Sequence, residues 1–265
     1  MSTLLIMLAL TSSDCAGCHP QQAALVQASR HAEAAELAVF AVSASHASNK
    51  QWCAGCHRPA ARGLDCLSCH PDSTHRTPAA VACAQCHEFN TPLPDHLESA
   101  VVYSDQPLQS TASELAAVDV AARCVDCHDP HRPTGSHDLA MLRRAVAVTA
   151  RLDDDATILR ITVGHTGHRF PTGDPFRRLV ISVFDENGEV VGKHTVGRSF
   201  ALVDGVWAPV RDHTLAAGES RELRLPRGAR WTAVFRYGDP RFESRLPEDE
   251  VSVGVAGGRL SVRPD

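Results

Sequence analysis

Several features are missing from this 265-residue chain, and each absence narrows what it can be. No apolar stretch approaches the roughly 18 residues of a membrane-spanning helix, so no transmembrane segment is expected. No basic stripe marks a nucleic-acid binder: residues 14–140 carry 7 Lys+Arg against 14 Asp+Glu, and residues 141–265 carry 19 against 17. Methionine occurs three times and tyrosine twice, at Tyr103 and Tyr237. No cysteine lies outside one repeated pattern, which leaves no framework for ordinary disulfides.

That pattern is CxxCH, and it occurs five times. Its residues are Cys15, Cys18 and His19; Cys53, Cys56 and His57; Cys66, Cys69 and His70; Cys83, Cys86 and His87; and Cys124, Cys127 and His128. Chance at this composition gives about 0.02 such motifs. Two thiols one helical turn apart can each add across a haem vinyl group, and the next imidazole reaches the iron from the same face. Zinc knuckles would need four ligands, normally two knuckles, and give no reason for the histidine. The residues therefore predict five covalently attached haem c groups, with the five motif histidines as proximal ligands.

Thioether formation in bacteria takes place outside the inner membrane, so the chain should be exported and periplasmic or extracellular. The apolar run at residues 4–10, followed by small residues, resembles the core of a signal peptide over residues 1–13, though without the usual positive start. A haem region over 14–143 follows, then a cysteine-free region over 144–265. At about 25 residues per haem, the first region cannot build a conventional apolar core, so the macrocycles must serve as one.

The expected fold is α+β. Residues 14–143 read as an irregular, mostly helical and loop five-haem domain, with helices expected over 21–40 and 113–122. Residues 144–265 change to the alternating, Val/Ile/Leu/Thr-rich pattern of strands, at 145–151, 157–163, 179–184, 189–196, 221–225, 231–237, 251–255 and 259–262. Asn187-Gly188 is a hairpin signal. Eight short strands suggest an all-β immunoglobulin-like sandwich.

Ten histidines remain for the second face of the irons. No CxxCK variant occurs, and Met141 alone could supply a thioether, so bis-histidine ligation is the default. Local context favours His31 in SRHA, His46 ahead of the second motif, His75 just after the third, and His137 in GSHD, with His131 as its rival. His96, His194 and His213 read as loop, surface or turn residues. The Gly- and Pro-rich loop GHRFPTG contains His168.

This loop resembles the GHxxPTG loop of a group of bacterial multihaem c-type cytochromes in which a haem domain precedes a β-sandwich. The segments CAGCHPQQ…SRHA, CAQCHEF, QSTASE before CVDCHDP, GSHD before MLRRAV, and TGDPFRRL also resemble that group, over nearly the whole chain. The opening segment is similar to the four-haem cytochromes that accept electrons from hydroxylamine oxidoreductase. The resemblance implies that His168 ligates a haem. His165, where the group usually has a small or amide residue, is its rival.

Irons with two imidazoles are low-spin and offer no site to a substrate. The reading is therefore an electron-transfer protein rather than an enzyme, with redox proteins as donor and acceptor. The alternative is a multihaem oxidoreductase in which one five-coordinate haem acts on a small nitrogen or sulfur compound. The β-region could add docking to a partner or a polymer, and oligomeric state is left open. Arg169, Arg177 and Arg178 are expected beside haem propionates.

Overall fold

The computed structural model describes residues 12–46, 50–58, 63–70, 80–89, 109–117, 123–164, 166–174, 176–203 and 206–260. Its first part is a succession of short elements: α1 (Ser12–Cys18), α2 (Pro20–Gln27), α3 (Ala38–His46), α4 (Lys50–His57), α5 (Cys66–Cys69), α6 (Ala80–His87), β1 (Glu88–Phe89), β2 (Gln109–Ser110), α7 (Thr111–Ala117), α8 (Cys124–Cys127) and α9 (Leu139–Ala145). Helices this short are not stable alone in water and need tertiary partners. Among the described residues no helix is long and apolar enough to cross a membrane.

The helix expected over 21–40 is divided. Pro20 starts α2 at a position where its missing N–H costs nothing, but the helix ends at Gln27. Ser29 turns its hydroxyl back onto the Val26 carbonyl at 2.6 Å, and the His31 carbonyl accepts the Leu64 N–H at 2.8 Å. A Cβ on Gly63 would lie 2.3 Å from that carbonyl, so only glycine allows this approach. A tertiary contact overrides the helix propensity of an alanine-rich run. The second expected helix is α7, while residues 118–122 lie outside the described residues.

The second part is antiparallel β-structure: β3 (Val146–Asp153), β4 (Ala156–Val163), β5 (Arg178–Phe184), β6 (Val190–Val203), β7 (Val206–Asp212), β8 (Ser220–Pro226), β9 (Arg230–Arg236) and β10 (Ser252–Arg259), with the one-turn helix α10 (Glu248–Val251) before the last strand. The strands form a five-stranded sheet, β10-β9-β5-β6-β7, and a three-stranded sheet, β3-β4-β8. Alternation appears directly as burial: along β5 and β9 every second side chain is buried. Val148, Leu159 and Ile161 from one sheet and Leu179, Ile181, Ala233 and Phe235 from the other belong to one buried cluster. Leu142 of α9, 1 % exposed, joins it.

Two details differ from expectation. β7 was not anticipated, and residues 252–255 and 259 belong to a single strand, β10, while Val251 ends α10. The β5–β6 hairpin has a three-residue loop instead of a two-residue one. Asp185 N–H donates to the Glu189 carbonyl at 2.9 Å, and Gly188 N–H to the Asp185 carbonyl at 3.3 Å. Gly188 takes φ +90°, the left-handed position such a loop requires.

Candidate functional site

Each described cysteine pair lies on one helical turn: α1, α4, α5, α6 and α8 each carry two thiols at i and i+3, hence on one face. The motif histidine closes that turn. His19, His70 and His128 donate their N–H to the carbonyls of Cys15, Cys66 and Cys124 at 2.8, 2.9 and 2.9 Å. At α5 the turn is capped by Asp65, which accepts from Ser68 N–H at 3.0 Å while its own N–H donates to the Ser68 hydroxyl at 3.1 Å.

The five turns meet one another. No disulfide joins any of the ten cysteines. Cys66 is hydrogen-bonded with Cys15, Cys86 with Cys56, and Cys83 with Cys124. Cys69 lies within electrostatic reach of both Cys83 and Cys86. Burial pushes the thiols of Cys53, Cys66, Cys69 and Cys83 up, and that of Cys86 to about 12 with Cys56 beside it. The fourth motif thus neighbours the second, third and fifth, and the first hangs from the third.

Backbone carbonyls fix the tautomer of several imidazoles. Nδ1 of His57 faces the Ala34 carbonyl at 3.4 Å, Nδ1 of His128 the Thr134 carbonyl at 2.7 Å, and Nδ1 of His168 the Arg169 carbonyl at 3.0 Å. A carbonyl can only accept, so Nδ1 carries the proton and Nε2 is left as a ligand atom. Burial lowers the pKa of His31, His57 and His168, which favours the neutral, ligating form.

The expected distal histidines separate by location. The His31 ring stands 6.1 Å, centroid to centroid, from the ring of His87. Two imidazoles on opposite sides of one metal, with bonds of roughly 2 Å, are about that far apart. His168 lies within electrostatic reach of His128. His137 stacks on Tyr237 at 3.8 Å and 14°; desolvation, with Arg30 and Arg177 nearby, pushes its pKa down to about 3. Its rival His131 sits in a turn whose amides donate to Asp129. His46 ends α3, but its side chain is outside the described residues, as are all of His75, His96, His165 and the expected leader up to residue 11.

A cation stands among these rings. Desolvation raises the Asp174 carboxyl and lowers the Arg177 guanidinium, the two lying beside one another. Arg177 lies near His57, His137 and His168, so the site combines a cation with imidazoles whose pKa is lowered. Together with the paired thiols, this donor set fits a covalently held haem with anionic substituents.

Of the three arginines expected at propionates, two are committed elsewhere. Arg169 donates to the Thr214 hydroxyl at 2.7 Å and the Thr214 carbonyl at 2.8 Å. Arg178 pairs with Glu243 at 2.6 Å and donates to the carbonyls of Phe176 and Gly238. Both guanidiniums tie the β-region together, whereas Arg177 donates to the Thr172 carbonyl at 3.3 Å and lies beside Asp174, near the imidazoles.

Sequence reasoning missed two carboxylates. Glu88, directly after His87, accepts the Ala112 and Ser113 N–H groups at 3.1 and 3.2 Å. Glu114 accepts the Arg169 N–H at 2.9 Å. Position beside a motif was a signal for Glu88; for Glu114 the signal was its place at the end of QSTASE, while its partner 55 residues away left no local pattern.

No family model and no curated protein matches this chain. Among solved structures, the crystal structure of a penta-heme cytochrome c552 from Thermochromatium tepidum is similar, with a TM-score of 0.68 and 20 % sequence identity over 94 % of this chain and 97 % of that chain. The chain shares the fold of that protein along nearly its whole length.

Proposed function

We propose that the chain is an exported multihaem c-type cytochrome, periplasmic or extracellular, carrying electrons through five covalently attached, mainly bis-histidine haems. The observation that carries this reading is the meeting of the CxxCH turns through hydrogen-bonded thiols, with Cys69 of the third motif within electrostatic reach of the fourth. The likeness to a penta-heme cytochrome supports it. Haem iron between two imidazoles supplies one-electron Fe(III)/Fe(II) exchange and offers no open position to a substrate.

The chain's own residues divide the work. The ten cysteines of the motifs are the attachment points, and His19, His57, His70, His87 and His128 the proximal ligands. The distal ligands are His31, His46, His75, His137 and His168. His31 pairs with His87 and His168 with His128, the pairings their neighbourhoods support. Backbone carbonyls hold the Nδ1 protons, and Arg177 offsets anionic charge. The thiol contacts make the path branch at the fourth motif, with the first, second and fifth as its ends. Redox proteins are the partners at those ends.

The haem domain spans 14–143 and an immunoglobulin-like sandwich spans 144–265, with His168 as the ligand it contributes. The oxidoreductase alternative stays second. Tyr237 donates its hydroxyl to the Ser136 carbonyl at 2.7 Å and is pushed up to about 12 by burial, so it is poorly placed as a proton donor. The test is an EPR and visible spectrum of the ferric protein with a potentiometric titration. Low-spin haem throughout is expected, and a high-spin signal of one haem would favour the oxidoreductase.

A further inference from the structure

Glu114 sits on α7 with its side chain 9 % exposed. Its Oε2 accepts both the Arg169 N–H at 2.9 Å and the Thr172 hydroxyl at 3.1 Å, and its Oε1 lies 3.9 Å from the Arg198 guanidinium. The hydroxyls of Thr111, at the start of the same helix, and Thr172 are 2.9 Å apart. Glu88 holds that helix start through Ala112 and Ser113. α7 is therefore a strut running from the residue after His87 to the segment that flanks His168.

The opposite side of the segment is fixed independently. The Arg169 side chain is bound to Thr214, and Phe170 and Leu215 exchange two backbone hydrogen bonds, each of 2.8 Å. Residues 169–172 are held between a carboxylate on the helical side and the Thr214–Leu215 connection between β7 and β8 on the β side. Removing one side leaves the other, so the fold survives while the position of His168 relaxes.

We infer that Glu114 is a positioning residue for His168, holding the loop against the helical region so that the free Nε2 stands where an axial ligand must. This rests on His168 being a haem ligand. Glutamine keeps an oxygen that can accept both donors but loses the charge that attracts Arg198; alanine leaves a buried N–H and a hydroxyl without their acceptor.

The test compares Glu114→Ala, Glu114→Gln, Thr172→Val and His168→Ala as full-length holoproteins, by covalent haem count, ferric EPR and redox titration. Glu114→Ala should keep five haems while a fraction of the haem, at most one in five, turns high-spin and one potential shifts. Glu114→Gln should restore most of the parent spectrum, and Thr172→Val should fall between. An all-low-spin Glu114→Ala with parent potentials overturns the inference if His168→Ala is high-spin. If His168→Ala is also all-low-spin, the ligand reading falls and the inference with it. Should Glu114→Ala not accumulate, parent-like spectra and potentials from both Glu114→Gln and Thr172→Val overturn the inference.

Discussion

The helical and β-regions of this chain solve the problem of order in opposite ways. The β-region hides a continuous side-chain cluster between two antiparallel sheets, with Leu159, Leu179, Ile181, Val183 and Ala233 all at 0 % exposure. Among the described residues before α9, the buried hydrophobic side chains are Ala23 and Ala34. Two methyl groups cannot offset the entropy of fixing a chain of that length. What the helical region has instead is a thiol pair on each of five short turns, and those turns touch. Its core has to come from the groups those thiols hold.

The sharpest way to break this contrast is to withhold haem. Expressed without covalent attachment, the chain should lose all slow hydrogen exchange between residues 12 and 117 while strands from 146 to 259 stay protected. Retained protection in the helices would mean that they have a core of their own. Next in size is Phe235→Ala, at 1 % exposure. It should cost the β-region about 3–5 kcal/mol in denaturant titrations, with the covalent haem count unchanged. Loss of haem attachment together with the strands would show that the regions are not separable.

His168→Ala tests the join between them. One haem in five should become high-spin, and proteolysis near residue 145 should release the β-region more readily, because a ligand bond made only in the docked state stabilises docking. Unchanged digestion and an all-low-spin spectrum would make the loop ordinary surface. The smallest effect is expected for Arg177→Ala. Loss of a cation near His57, His137 and His168 should lower one haem potential by roughly 30–60 mV; unchanged potentials would remove Arg177 from the haem environment.

The same contrast explains what could be read from the sequence. Strand alternation and the CxxCH turns are local patterns, so most of the strands and all five motif turns were legible. β7 escaped because its Pro209 argues against a strand, which an edge position tolerates. The glycines of β10 looked like breaks but lie within its pairing to β9. The division of residues 21–40 depends on Leu64 and Gly63 docking onto His31, and the roles of Glu114, Arg169 and Arg178 depend on partners 45 or more residues away. Such contacts have no period and no motif. Among the candidate distal histidines, His31 was singled out because it follows the first motif closely, whereas His168 was singled out through the resemblance of its loop.

The most direct measurement is the intact mass of the purified holoprotein, followed by peptide mapping of residues 14–143. Five covalent haem increments, one on each CxxCH turn, are the expected result. Fewer than five, or intact unmodified thiols at any motif of a fully folded protein, would contradict a helical region built around haem.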